Sequence, residues 1–140
     1  MDALDRNDPK HAAVDERLRA GLVVWLTTVA PTGQPQTTPV WYYWDGATFL
    51  FYSQPDRPKL VNIAANPLVS IHPQGAEDAE DAVTIEGTAA IDPSAPLCDE
   101  LPEYSSKYLS LIDGFGWTPT SVAADYSVAV RITPTRFRIL

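Results

Sequence analysis

The chain has 140 residues, of which 45% are apolar and 20% charged, so it is long enough to bury a core and too apolar for a disordered segment. Its 18 acidic and 10 basic side chains give a formal net charge of -8, which argues against a nucleic-acid or anionic-membrane surface. Cys98 is the single cysteine, which excludes an intramolecular disulfide and a cysteine-based zinc site.

The N-terminal residues are charged and lack the apolar core of a signal peptide. No apolar run reaches the roughly 20 residues that a membrane span needs. We therefore expect a cytoplasmic protein, folded as one domain over residues 1–140, with neither a membrane nor a nucleic acid as a partner.

The first half of the chain predicts one helix followed by strands. Asp8 is a suitable N-cap, Pro9 suits the first helical position and Gly21 is a natural stop, so we expect a helix over 8–20. Pro39 places the second strand at an edge or a bulge. The three strands predicted here, which short turns join into an antiparallel meander, are 22–29, 36–44 and 47–53.

The second half alternates short helices with further strands. Gly75–Asp81 reads as an acidic loop, and Gly87 suggests a bulge within its strand. The predicted helices are 59–65, 105–112 and a short one that opens at Thr118-Pro119; the predicted strands are 68–72, 82–91, 126–132 and 135–140. This order predicts a mainly β, α+β fold of six or seven antiparallel strands, closed into a small barrel with helices at its ends.

The segment YSQPDRPKLVN, residues 52–62, is the first candidate site. A strand ends, a polar loop follows, and a helix opens near Lys59. Helix N-termini present unpaired N–H groups and a partial positive charge, and Ser53, Arg57 and Lys59 add donors to them. Phosphate is the natural ligand of such a site. The alternative is that Arg57 and Lys59 pair with Asp56 and with surface acids.

The segment TPVWYYW, residues 38–44, is the second candidate. Four of its seven residues are aromatic, so a flat aromatic ligand could lie on it, although a plain core strand has the same composition. Alternation along a strand keeps neighbours from facing the same side, and we expect Trp41 rather than Tyr42 to face a ligand. His11 and His72 lack metal-ligand spacing, so we expect no metal site, and His72 fits a core or pocket-lining position as well as a catalytic base.

Several motifs in order resemble the flavin-reductase-like split-barrel superfamily, which includes pyridoxamine 5′-phosphate oxidases and the actinobacterial deazaflavin-dependent oxidoreductases. These motifs are LTTV, GQPQTTPVW, WDG and KLVNIAANPLV, and the C-terminal AADYSVAVRITPTRFR is similar to the deazaflavin-using branch. The resemblance implies a six-stranded split β-barrel that works as a homodimer, with its cofactor in a groove between subunits.

The resemblance also implies which residues bind the cofactor. Lys59 matches the phosphate-binding lysine of the family, and Asn62 matches a family position on the same helix. The remaining cofactor-binding positions lie on the loop before that helix and on the strand that contacts the ring: Ser53, Gln54, Arg57 and Pro58, then Pro39, Val40 and Trp41.

The branch resemblance favours coenzyme F420 over FMN and implies hydride transfer to a small unsaturated substrate. Lys10, Arg17 and Arg19 are candidates for binding the anionic tail of that coenzyme. No catalytic residue is assigned, because the cofactor carries the chemistry. Two alternatives stay open: an FMN-dependent oxidoreductase of the same fold, and a non-catalytic module that binds a cofactor or haem, for which His72 would have to reach the iron.

Overall fold

The computed structural model describes residues 3–75 and 80–140 and contains one antiparallel sheet with four α-helices over those ranges. The helices are α1 (Pro9–Ala20), α2 (Pro58–Ala65), α3 (Pro102–Gly114) and α4 (Pro119–Asp125). The strands are β1 (Val24–Val29), β2 (Pro35–Val40), β3 (Tyr43–Trp44), β4 (Phe49–Ser53), β5 (Leu68–Pro73), β6 (Val83–Ile91) and β7 (Val128–Ile139). No helix among the described residues is long and apolar enough to cross a bilayer.

The sheet curls into an open barrel. Its strand order is β2-β1-β5-β6-β7-β4-β3, so β2 and β3 form its two edges. These edges are consecutive in the chain and only residues 41–42 lie between them, which brings the strand ends within about 10 Å of each other. The expected mainly β architecture with short helices is therefore confirmed, but the sheet is a half-barrel with two edge strands rather than the closed barrel that the strand order predicted.

The described residues form seven strands, which agrees with the six or seven that the sequence pattern predicts, whereas the count of six implied by the family resemblance is wrong. The predicted strand over 36–44 is two strands, β2 and β3, which belong to opposite edges of the sheet, so the predicted three-strand meander is wrong as well. The break lies where the Tyr42 N–H donates to the Tyr108 hydroxyl at 2.8 Å and the Tyr42 carbonyl accepts from Lys107 at 3.1 Å. Side chains of α3 therefore take the backbone groups that a neighbouring strand would otherwise pair.

The two strands predicted near the C-terminus are one long strand, β7, which bends against β6. The register between them shifts at Glu86/Gly87, where Gly87 pairs with Pro134. A Cβ at Gly87 would lie 2.8 Å from the Thr133 carbonyl oxygen, so only glycine allows this approach. The bulge predicted at Gly87 is confirmed, and it lets β7 pass a proline without breaking.

Helix α1 closes one side of the barrel through an ionic anchor. Asp8 caps it as predicted, by accepting from the Lys10 N–H at 2.9 Å. Asp15 is buried and accepts from the Trp44 indole at 2.8 Å, from Arg6 and from Arg19. Burial alone would raise the pKa of Asp15, but these three hydrogen bonds lower it to about 2.

Strand β4 is buried on both faces and divides the core in two. Phe49 and Phe51 point into the larger cluster, inside the curled sheet beneath α1 and α2. Leu50 and Tyr52 point the other way, into a second cluster covered by α3 and α4. Because alternate residues of a strand face opposite sides, one five-residue strand supports both clusters. The second cluster is the floor on which the site described next is built.

Candidate functional site

The loop between β4 and α2 brings basic side chains to the N-terminus of α2. Pro58 opens this helix, where a missing N–H costs nothing, and no side chain caps it. Asp56 has a φ of 61°, a left-handed conformation that aspartate tolerates, so the chain turns sharply just before the helix. The positive end of the helix dipole therefore lies beside Arg57 and Lys59, although the Leu60 N–H already donates to the Arg57 carbonyl oxygen at 3.0 Å.

The charges of Arg57 and Lys59 are not neutralised within the described part of the chain. Neither side chain forms an ion pair with a carboxylate there, so the pairing with Asp56 that the sequence left open is not found. Arg57 donates instead to the amide oxygen of Gln54. Burial, with the nearby Arg57 charge, lowers the pKa of Lys59 below that of a free lysine. A half-buried ammonium without a counterion is suited to an anionic ligand.

A polar groove of about 250 Å³ lies on one side of Lys59. It contains three threonine hydroxyls, one amide and two cations, and no carboxylate. Its lining residues are Thr28, Gln36, Thr37, Thr38, Arg57, Pro58 and Lys59. Hydroxyl, amide and charged N–H donors in one concave surface are the groups that bind phosphate.

An aromatic cleft of about 260 Å³ lies on the other side of Lys59. Six of its ten lining residues are aromatic, Lys59 is its one cation, and it has no carboxylate. The lining residues are Pro39, Val40, Trp41, Tyr52, Lys59, Tyr104, Phe115, Trp117, Val122 and Tyr126. Lys59 belongs to both concave surfaces, so an anionic group in the groove and a planar group in the cleft would share it.

Trp41 faces the cleft and Tyr42 faces the core. The Trp41 ring stacks on Tyr108 with 4.6 Å between centroids and 5° between planes. Tyr42 is fully buried, and its hydroxyl donates to the Leu18 carbonyl oxygen at 2.6 Å. Because α3 supplies Tyr108, the orientation of Trp41 is fixed by packing rather than by the strand alone.

Two of the expected cofactor-binding residues lie beneath the site rather than on its surface. Ser53 is buried and its hydroxyl donates to the Gln54 carbonyl oxygen at 2.8 Å, which holds the loop. Asn62 is also buried; its amide donates to Thr28 at 2.9 Å and to Gln36 at 2.8 Å. Both of its partners line the groove, so Asn62 positions the groove wall.

Most of the cleft wall was missed by sequence reasoning. Tyr104 lies on α3 and Val122 on α4, while Phe115 and Trp117 come from the connection between these helices and Tyr126 follows α4. The one sequence signal was the run Phe115-Gly116-Trp117, two aromatic residues around a glycine. It is typical of a turn, and nothing local places that turn beside β2.

Other candidates lie away from both concave surfaces. His72 is exposed on β5 and lines neither of them, so its expected core or pocket-lining position is wrong. Lys10 and Arg17 border a separate depression beside the C-terminus, and Arg19 pairs with Asp15. Among the described residues no group of three or more His, Cys, Asp or Glu side chains is arranged to hold a metal ion.

Cys98 is buried in the cluster beneath the cleft, and burial raises the pKa of its thiol. The acidic loop was predicted over Gly75–Asp81. Its residues 76–79, which include Glu77 and Asp78, lie outside the described residues.

The fold and the site define a class: an open-barrel domain with a polar groove, lined by two cations, next to an aromatic cleft. The family model described as pyridoxamine 5′-phosphate oxidase matches residues 11–140. The chain therefore belongs to that family, and the family resemblance read from the sequence is confirmed.

Solved structures show the same architecture. An F420 reductase is 28% identical, with a TM-score of 0.63 over 89% of this chain and 94% of that chain. A putative pyridoxamine 5′-phosphate oxidase from Listeria innocua is 20% identical, with a TM-score of 0.68 over 95% and 98%. HutZ from Vibrio cholerae, described as a haem storage protein, is 18% identical, with a TM-score of 0.69 over 91% and 92%. The last two show the fold alone. No curated protein sequence matches the chain.

Proposed function

We propose that this protein is an oxidoreductase that binds coenzyme F420, with the phosphate of the coenzyme in the groove and its planar ring in the cleft. One observation carries the proposal: Lys59, half-buried and without a carboxylate partner among the described residues, lines both surfaces. No carboxylate lines either surface, although the protein has a net charge of -8. A phosphate ester of a flat ring system fits this arrangement.

The residues present suit the parts of such a coenzyme. Arg57 and Lys59 would bind the phosphate, with the threonine hydroxyls of the groove as further donors. Pro39, Val40 and Trp41 would lie along the ring, in a cleft whose walls are mostly aromatic. When bound in its reduced form, F420 supplies a hydride, and a proton from solvent completes the reduction of an electron-poor unsaturated bond.

The choice of F420 rests on the 28% identity to an F420 reductase across nearly the whole of both chains. FMN is the second candidate, because one feature of the site favours it. Beyond Arg57 and Lys59, no basic side chain lines the groove or the cleft, whereas an oligoglutamate tail calls for further cations. FMN has a phosphate and no such tail.

Haem binding is less well supported by this chain. No histidine lines the cleft or the groove, and the exposed ring of His72 contacts the neighbouring Pro73 carbonyl oxygen at 3.2 Å. An iron in the cleft would therefore have no imidazole ligand from this chain. A Soret band that appears on haem titration and disappears in His72→Ala would contradict this reasoning.

We also propose that the protein works as a homodimer. Large apolar side chains stand exposed near the junction of α2, β5 and β6: Val61 is 55% exposed, Leu68 62% and Ile91 46%. The Ala89 N–H donates to the Pro67 carbonyl oxygen at 2.8 Å, which joins the start of β5 to the end of β6. A second copy of the chain would cover them. Light scattering tests this: Leu68→Lys should shift the mass from two chains to one, and a wild-type protein of one-chain mass would refute it.

The central experiment is a fluorescence titration of the purified protein with F420 and with FMN, in parallel. Tighter binding of F420, followed by consumption of reduced F420 with an enone acceptor, supports the proposal. Tighter binding of FMN would select the second candidate. If neither binds at micromolar concentration, the proposed function is wrong.

A further inference from the structure

We infer that Phe115 and Trp117 form the substrate-facing wall of the cleft and select planar, conjugated molecules that are neutral or anionic. This inference rests on the proposed function, because it names the substrate class of the same site. It concerns residues for which neither the sequence motifs nor the family comparison assigns a role.

The rings of Phe115 and Trp117 are exposed to solvent, which is unusual for large apolar side chains. Phe115 is 59% exposed and Trp117 39%, yet they stack on each other with 4.7 Å between centroids and 27° between planes. Trp41 lies beside them, 6.5 Å from Phe115 between centroids. An exposed apolar surface inside a cleft marks a contact surface for a ligand.

The turn that carries the rings is fixed in place. Phe115 and Trp117 donate backbone hydrogen bonds into the last turn of α3, to Leu111 at 3.0 Å and to Ile112 at 2.9 Å. Gly116 between them has a φ of 75°, a conformation that a larger residue adopts only with strain. The Thr118 capping box then starts α4 at once. The two rings are therefore preorganised for binding, which reduces the entropy cost of binding a ligand.

This wall is separate from the elements that form the groove. The groove is built from β1, β2 and the start of α2, whereas Phe115 and Trp117 lie between α3 and α4. If the phosphate lies in the groove and the ring follows Pro39–Trp41, the α3–α4 side of the cleft is the part left for a substrate.

The charge of the cleft restricts what can stack there. Lys59 is its one cation and none of its ten lining residues is acidic. A planar cation would find no carboxylate in the cleft to pair with, whether or not a cofactor phosphate is bound to Lys59, while a planar neutral or anionic molecule would meet no acidic side chain that repels it. The stacked rings themselves favour a flat partner over a saturated one of the same volume.

Naphthalene-2-sulfonate tests the inference as a planar anion that accepts no hydride. Calorimetric titration compares it with cyclohexanesulfonate, which is saturated, and with 2-naphthylmethylammonium, which is cationic. We expect naphthalene-2-sulfonate to bind best, and Phe115→Leu/Trp117→Leu to weaken its binding about tenfold, which is about 1.4 kcal/mol. Leu109→Ala, which changes another exposed apolar side chain of α3, should have no effect.

Four binding results would overturn the inference. They are unchanged binding in the double variant, tighter binding of the ammonium, no binding of naphthalene-2-sulfonate at roughly millimolar concentration, and its displacement by the bound cofactor, which would assign the wall to the cofactor ring. A change of oligomeric state in the double variant would show that a second copy of the chain covers the rings, and would overturn it as well.

The two proposals fail in different ways. If the protein binds naphthalene-2-sulfonate in the expected order but takes up neither F420 nor FMN, only the proposed function is wrong. If a cofactor binds and Lys59 is needed for it, but the double variant keeps its affinity for naphthalene-2-sulfonate, only the substrate wall is wrong.

Discussion

Replacing Lys59 by methionine tests the site most directly, because it removes one charge from both concave surfaces and keeps the apolar stem. Lys59 has no carboxylate partner among the described residues, so the substitution leaves no acid unpaired there. We expect cofactor affinity to fall while the free energy of unfolding of the cofactor-free protein changes by less than about 0.5 kcal/mol.

The size of the effect follows from the contact that is lost. A hydrogen bond to a charged group contributes about 1.5–3 kcal/mol, so the affinity for F420 or FMN should fall roughly 10- to 150-fold. Burial already lowers the pKa of Lys59, which means that water does not fully solvate its ammonium. Because a partly desolvated charge interacts more strongly with an anion, we expect the upper half of this range.

Fluorescence titration with each cofactor measures the change, and Lys10→Met is the matched control. Lys10 is exposed on α1 and borders neither the groove nor the cleft, so its substitution removes the same net charge without touching the site. Equal losses in the two variants would mean that overall charge, not a local contact, controls binding. Affinity within twofold of wild type in Lys59→Met would refute the phosphate site.

Three further changes test the fold by urea unfolding. Asp15→Asn should lower the free energy of unfolding by about 2 kcal/mol, because the Trp44 indole and two arginines lose a charged acceptor. The pKa of Asp15 is about 2 in the folded protein against 3.8 ordinarily, so this loss of stability should be complete above about pH 4 and should vanish toward pH 2. A loss that does not depend on pH would contradict this assignment. Gly87→Ala should lower the free energy of unfolding by about 1–3 kcal/mol, because its Cβ would meet the β7 backbone. Gly114→Ala is the control and should be nearly neutral, because its Cβ meets nothing within 4 Å. Equal effects of the two substitutions would refute the close approach at Gly87. Burial lowers the pKa of Lys107 to about 8 from 10.5, so between these pH values the unfolded chain holds a proton that the folded chain does not. The free energy of unfolding of the wild type should therefore rise relative to that of Lys107→Met from about pH 7.5 to 10. If the stability difference between the two proteins does not change with pH, Lys107 titrates normally.

The elements that the sequence predicted well are those whose ends depend on local chemistry. Helix α1 starts after Asp8 and ends before Gly21, as expected, because capping and the loss of helical geometry involve only neighbouring residues. The same holds for Pro58 at the start of α2 and for the Thr118 cap of α4. Each boundary rests on one or two side chains close to it in the sequence.

The elements that the sequence missed depend on distant residues. Strand 36–44 breaks because Tyr42 bonds to side chains of α3 some 65 positions further on, and no local pattern contains that information. The β7 strand continues past Pro134 because Gly87, on another strand, makes room for it. Propensity rules treat each segment alone, and here tertiary contacts outweigh them.

The candidate site shows the same contrast between residues placed by local sequence and residues placed by tertiary contacts. The cationic half was readable, because Arg57, Pro58 and Lys59 stand together at a helix start. The aromatic half was not, because Phe115 and Trp117 reach the cleft through the packing of α3 on β4 and β7. Local sequence therefore indicates which ligand group is attracted, and the tertiary fold decides which ligand shape can enter.

The overall charge does not oppose an anionic ligand at this site. The protein carries a net charge of -8, but four of its acids, Asp15, Asp45, Asp92 and Glu86, are ion-paired with arginines elsewhere. At physiological salt, charges more than about 8–10 Å apart are largely screened, so distant acids act weakly on the groove. A ligand in the groove therefore interacts mainly with the unpaired cations beside it. An acidic protein can bind an anion when its carboxylates are kept out of the lining, as they are here.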